Sequence, residues 1–273
     1  MKNKIDCKQF INIKNSEVAY FLGFLWADGC IYTKKKHSYL IQITIVSDDF
    51  KYLRPILKKI GDWNYNKYKP KPIKWKEKTS AAAYSKELVT WLYSVGYINK
   101  ENPHNIINII PIELRKFFWR GLFDGDGNVT CTDKTETCGI ASSYNQDWSA
   151  LKDLCKELNI KYFIQRRDRD KGKCSNFGIS NRDGIINFLS FIYDGYNTDK
   201  IGFNRKYKKL KMLVINKDKY LKRRTSTHRG IAFRKDKNKW VVFKRINGID
   251  KQFYGFISEN DALEFQKTLI NNV

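Results

Sequence analysis

The strongest feature of the chain is an apolar run, FLGFLWADG at residues 21–29, that stops abruptly on Asp28 and Gly29. A second run, FFWRGLFDGDG at 117–127, stops the same way, and Asp126 stands where Asp28 stands. Helices apolar nearly all round belong inside a core rather than on its surface. After each run the pattern turns amphipathic. DFKYLRPILKKIG and DWSALKDLCKELN carry apolar residues at helical spacing and close on Gly61 and Asn159, each 33 positions beyond its aspartate, and both residue types commonly end helices. A third helix is expected in AAAYSKELVTWLYSVG and again in FGISNRDGIINFLSFIY, capped by Ser85 and Ser180 or by the residue after each.

Between the helices the period falls to two. LIQITIVS at 40–47 alternates apolar and polar residues, and CGIASS at 138–143 occupies the matching place. YFIQRRDRDKGKCSNFGIS reads as a hairpin with a turn signal at Asp170 to Lys173, and NYNKYKPKPIKWKEKTSAAAYS is its counterpart. Each half, about 10–105 and 106–210, is therefore helix, two strands, helix, two strands, helix. The fold class is α+β, one unit built twice.

Gly23 and Gly121 sit mid-helix, five residues before their aspartates. Each costs about 1 kcal/mol relative to alanine, and the repetition points to close approach of two helix backbones. That pairing sets Asp28 and Asp126 side by side at helix C-termini, where the dipole disfavours a carboxylate by ~0.3 to 1 kcal/mol. Two carboxylates ~5 Å apart repel by a further ~3 kcal/mol at an effective dielectric near 20. Protonation of one would offset this, while a divalent cation held between them would do so at neutral pH, and hard oxygen ligands suit Mg²⁺.

Charge narrows the class of partner. Lys+Arg 52 against Asp+Glu 28 gives a formal net charge of +24, which points to a polyanion, nucleic acid first and an anionic membrane surface second. The 42% hydrophobic and 15% aromatic content supports a large core. No apolar run approaches a membrane span, and MKNKIDCKQF lacks a signal-peptide core. The expectation is a soluble intracellular protein with no membrane partner, acting wherever its target lies. Six cysteines without a Cys-x-x-Cys pair and three histidines give no zinc-ligand spacing, so the thiols are expected to be reduced.

FLGFLWADG and WRGLFDGDG resemble the two signature motifs of single-chain LAGLIDADG homing endonucleases, over about 200 residues that include SKELVTWLYSVG and FIYDGYNTDKIGFNRKY. The resemblance implies tandem pseudo-two-fold αββαββα repeats whose sheets form a DNA-binding saddle. It further implies a site-specific, metal-dependent double-strand break in a long target. Asp28 and Asp126 would be catalytic and hold Mg²⁺, two or three ions with DNA bound, helped by the carbonyls of Ala27 and Gly125. Trp26 departs from the motif where Asp124 keeps it, which implies unlike halves and a non-palindromic site. Lys86 and Lys100 are candidates to assist at the centre. Tyr32, Lys34, Lys36, Lys74, Lys76, Arg166, Arg167 and Arg169 are candidates to contact bases and phosphates. With both halves in one chain, a monomer is expected. A splicing maturase bound to RNA and a non-cleaving DNA-binding regulator are the alternative readings of the same fold.

Residues 1–213 are expected to form this domain, 214–228 a basic linker, and 229–273 a small domain of three strands, with turns at KDKN and NGID, and a helix from near Ser258. That tail resembles the ethylene-response-factor (Apetala) DNA-binding domain in Arg229-Gly230-Ile231, Lys239-Trp240-Val241, Gly255-Phe256 and Ala262, although Ala232 stands where that family commonly has arginine. By this resemblance Arg229, Arg234, Trp240 and Lys244 would contact DNA.

Overall fold

The computed structural model describes residues 5–33, 39–71, 76–97, 100, 102–132, 135–169, 172–215, 226, 228–246 and 248–271. The chain separates into two compact units, Met1–Leu213 and Val214–Val273.

In the first unit a short helix α1 (Lys8–Ile11) precedes the first repeat: α2 (Ser16–Asp28), β1 (Gly29–Tyr32), β2 (Leu40–Val46), α3 (Ser47–Ile60), β3 (Asn64–Tyr68), β4 (Lys78–Tyr84) and α4 (Lys86–Ser94). A connector helix α5 (His104–Ile109) leads to the second repeat: α6 (Arg115–Asp126), β5 (Gly127–Cys131), β6 (Glu136–Ser143), α7 (Ser149–Glu157), β7 (Phe163–Arg169), β8 (Gly172–Ile179) and α8 (Arg182–Ile192). Two further helices follow, α9 (Tyr196–Asp199) and α10 (Asn204–Ile215). The sheets are antiparallel four-stranded copies of one topology, ordered β1-β2-β4-β3 and β5-β6-β8-β7. Two αββαββα repeats are therefore the fold.

Local chemistry sets the boundaries. Asn15 starts α2 by accepting the Val18 N–H at 2.8 Å, and Ser85 starts α4 by accepting that of Leu88 at 3.1 Å. Asn181, rather than Ser180, occupies the N-cap of α8. Gly61 at φ 155° and Asn159 at φ 52° close α3 and α7 in left-handed backbone, as their residue types allow.

The core centres on α2 and α6. Residues 18–26 are buried without a break, as are 117–124, so neither helix keeps a polar face. A Cβ on Gly23 would stand 1.9 Å from the Phe118 carbonyl oxygen, and one on Gly121 would stand 2.1 Å from that of Tyr20. The backbones touch where the glycines lie. The sheets pack their apolar alternation inward, Ile41, Ile43 and Ile45 from β2, Ile140, Phe177 and Ile179 from β6 and β8, against the amphipathic helices. Arg120 lies within this core, donating to the carbonyls of Ile192, Asp194 and Ile201 and to the Asp199 carboxylate at 2.5 to 3.1 Å. Each of its three guanidinium nitrogens thus has an acceptor, as burying the charge requires.

The second unit has β9 (Ile231–Arg234), β10 (Lys239–Ile246), β11 (Ile249–Phe256) and α11 (Glu259–Asn271), with strand order β11-β10-β9. Ser258 and Asp261 cap α11 reciprocally, at 3.0 and 3.1 Å. Ile231, Val242 and Ala262 form its core with Trp240, Phe253, Phe256 and Phe265 packed around them.

Candidate active site and nucleic-acid interface

Asp28 and Asp126 end α2 and α6, and each helix passes without a loop into the first strand of its sheet. Gly29 and Gly127 make this possible by lacking a side chain. At φ −80° and −77° they need no special backbone, but a Cβ on either would fall 2.4 Å from the carbonyl of the preceding helical turn, Leu25 or Phe123. The Asp-Gly pairs thus mark a helix running straight into a strand rather than a reverse turn.

The two carboxylates share one environment. A Cβ added to Gly125 would lie 3.3 Å from Asp28 Oδ2, so the Asp28 carboxylate rests against the opposite helix. Asp126 is half-buried, and desolvation, with the charge of Asp28 second, raises its pKa to about 6. Asp28 keeps an exposed edge, and its pKa is also raised by desolvation, against the pull of Lys206, Lys100 and Lys78.

Two lysines are built into the same place. Lys100 donates to the carbonyls of Ala27 at 3.2 Å and Gly29 at 2.8 Å, and Tyr97 donates to that of Leu25 at 2.5 Å. Lys206, only 4% exposed, donates to the carbonyls of Phe123, Asp124 at 2.9 Å and Gly127 at 2.6 Å. Each lysine donates to carbonyls at a helix C-terminus and sets a positive charge there, the Phe123 carbonyl accepting the Gly127 N–H as well. Desolvation lowers both, Lys206 to about 8. Lys206 was not among the residues the sequence singled out, because RKYKKLK offers several equivalent lysines and only its packing distinguishes one.

The motif position that differs between the halves is structural in both. Asp124, 1% exposed, accepts from Tyr20 at 2.9 Å, Tyr193 at 2.6 Å and the Phe203 N–H at 2.8 Å. Trp26 instead donates its indole N–H to the Lys100 carbonyl at 3.1 Å. The halves are also filled differently. Phe203 packs on Phe24 and Tyr52, whereas beside Asp126 a cavity of about 270 Å³ is walled by Trp26, Trp119, Leu122 and Trp148.

Register gives each sheet an open face. In the first it carries Cys30, Tyr32, Gln42, Thr44, Asn64, Asn66 and Tyr68; in the second Asn128, Thr130, Phe163, Gln165, Arg167 and Asn176. Tyr32 and Arg167 thus share the open surface of their sheets with these polar side chains. Alternation puts Arg166 on the opposite face, its guanidinium 5.9 Å from the Tyr144 ring. Lys76 is exposed and 3.7 Å from Asp48. Lys86 begins α4 beside the Tyr39 ring. Lys34, Lys36, Lys74 and the Arg169 side chain fall outside the described residues, as does most of the linker.

In the second unit Arg234 lies on the open face of the sheet, held by Asp236 at 2.7 Å, and Arg229 is exposed. Trp240 pairs with Phe233 edge to face at 5.4 Å on the side packed against α11, and Lys244 points to that side as well. Phe243, Arg245 and Tyr254 take the open face in their place.

Among the described residues no helix is long and apolar enough to cross a membrane, and none of their His, Cys, Asp and Glu side chains forms a metal-binding cluster of three or more. Residues 113–193, the second motif helix through α8, match the family of LAGLIDADG-like domains. No curated protein matches the chain in sequence. Among solved structures, the chain is similar to I-SmaMI bound to uncleaved DNA target in the presence of calcium ions, at 14% identity over 76% of this chain and 93% of that one, TM-score 0.49. It is similar to I-WcaI bound to its DNA recognition sequence, at 14% identity over 74% and 91%, TM-score 0.49. A third is I-DmoI in complex with DNA and Mn, at 18% identity over 66% and 97%, TM-score 0.46.

Proposed function

We propose that this chain is a site-specific DNA endonuclease of the LAGLIDADG type that makes a metal-dependent double-strand break in a long, non-palindromic duplex, acting as a monomer. The observation that carries the reading is the glycine-packed pair α2 and α6, which brings Asp28 and Asp126 together at the point from which two open sheet faces depart. The family match over the second repeat supports it independently.

The residues fit a hard divalent cation. Two carboxylates with raised pKa values and no third acidic, thiol or imidazole neighbour among the described residues suit an ion that keeps much of its water, as Mg²⁺ does. Asp28 and Asp126 would hold it, with the carbonyls of Gly125 and of Ala27, whose oxygen keeps a second lone pair beside Lys100. Such an ion supplies charge neutralisation at the scissile phosphates and polarises water. Lys100 and Lys206 hold the carbonyl-rich helix ends in place and set positive charge beside the two aspartates. Tyr32, Lys34, Lys36, Lys74, Lys76, Arg167 and Arg169 are the proposed DNA contacts of the sheets. The unit from Val214 is read as an ethylene-response-factor type DNA-binding module, with Arg229, Arg234 and the residues of its open face as contacts.

The test is cleavage of a randomised duplex library, with the cut ends sequenced. Mg²⁺-dependent double-strand ends sharing one asymmetric sequence are expected. Random ends, or equal cutting in EDTA, would sink the proposal.

A further inference from the structure

Phe163 is 45% exposed on the open face of the second sheet, while Phe177, its neighbour on the adjacent strand, is 1% exposed on the other face. A single exposed apolar residue needs no explanation. What distinguishes this one is the floor under it. Across the sheet the row reads Phe163, Gly178, Gly139, Asn128. A Cβ on Gly178 would stand 2.3 Å from Phe163 Cζ and 2.7 and 2.8 Å from its Cε atoms. The far edge of the ring therefore lies down on the glycine. Glycine weakens a strand and marks places where something approaches closely, and here two stand side by side.

The corresponding row of the first sheet reads Asn64, Ala82, Gln42, Cys30. Two amides occupy the places of the ring and of Gly139. The next open-face row of the second sheet carries Gln165 and Asn176, and Gln165 Oε1 holds Arg167 at 2.7 and 3.0 Å. The apolar ring is thus set among hydrogen-bonding side chains on one half only.

Resting on the DNA reading proposed above, we propose that Phe163 is a specificity-determining residue that contacts the C5 methyl of a thymine in the major groove. Among base edges in that groove only thymine presents a methyl group, and phenylalanine is one of the side chains that meet it. The amides at the related place in the first sheet suit adenine's donor and acceptor instead. One position of the target is then read by shape and its pseudo-symmetric partner by hydrogen bonds, which makes the two half-sites unlike.

The experiment selects bound duplexes from a randomised pool with the full chain as wild type, Phe163→Asn and Gly178→Ala. The first variant installs the amide of the other half, and the second displaces the ring without removing it. The preferred wild-type duplex is then remade with deoxyuridine at each thymine in turn. Removing one methyl group from an apolar contact corresponds to about four- to tenfold in affinity. The expected result is one thymine at which deoxyuridine weakens the wild type by that factor but leaves Phe163→Asn unchanged, with both variants losing preference there alone. Identical profiles for all three proteins would overturn the inference while leaving the endonuclease reading intact. So would a uniform loss at every position, which is the sign of a packing role. If the wild type selects no sequence at all, the reading beneath it fails as well.

Discussion

Gly23 rests on the carbonyl oxygen of Phe118, so close that a methyl group at position 23 would stand 1.9 Å from it. In an exposed helix a glycine-to-alanine change gains about 1 kcal/mol. Here the sign is reversed, because the two helices must separate to admit the methyl. Gly23→Ala and Gly121→Ala should each lose about 3 kcal/mol, roughly 6 to 12 °C of melting temperature for a domain of this size. A melting temperature equal to or above that of the wild type would show that the helix pair is not packed backbone to backbone.

Chemistry should separate from binding at the two aspartates. Asp28→Asn or Asp126→Asn keeps the side-chain shape and removes a charge that the cation needs, so cleavage should fall by about a thousandfold or more. Affinity for the duplex should hold or rise, since negative charge near phosphate is removed. A gel shift run beside a cleavage assay on one duplex reads both, and wild-type cutting by either variant would return the aspartates to a structural role.

Without a metal, Asp126 should make the protein less stable as pH rises. Its pKa is about 6 folded against 3.8 in the unfolded chain, so the folded state binds the proton more tightly, and the stability this provides is lost as pH rises through 6. In EDTA at pH 7.5, Asp126→Asn should exceed the wild type by about 1 to 3 kcal/mol, and the difference should shrink toward pH 4. Mg²⁺ should raise the wild-type melting temperature at pH 7.5. A difference that does not depend on pH would show that the carboxyl is not held in the environment described.

The duplication, both motif helices and the glycine contact were legible because each depends on a pattern that recurs. Strand alternation and the cap at Ser85 are likewise local. The placement of Trp240 was not, since it needs the register of β10, which carries a bulge between Trp240 and Val241. Arg166 and Arg167 are adjacent in sequence and divided by the pleat. Lys206 is found only through the approach of a helix 80 residues beyond Asp126, and an approach of that range leaves no local signal.

Lys206 gives a prediction of its own. Lys206→Met keeps the stem but leaves the carbonyls of Phe123, Asp124 and Gly127 without this donor. Buried acceptors without their partner cost about 1 to 3 kcal/mol each, less where water enters, so a destabilisation of about 3 kcal/mol is expected. Denaturant titration measures it. A change within about 0.5 kcal/mol, the scale of ordinary surface substitutions, would mean that solvent already serves these oxygens.

The two units have separate hydrophobic cores, one from Ile5 to Leu213 and one around Val242 and Ala262. A chain ending at Ile215, the end of α10, therefore keeps every buried residue of the first core and should fold. Both aspartates remain in it, so it should still cut the same sequence when protein is abundant. Its affinity should be lower, because a second DNA-binding module acts through effective concentration. The dependence of log affinity on log salt should also become shallower, by about 0.9 for each phosphate that the shortened chain leaves unneutralised. Measuring both slopes on one duplex separates the two contributions. Equal affinity and equal slope for the short and full chains would show that the Val214–Val273 unit does not touch the DNA, and the basic residues of its open sheet face would then need another partner.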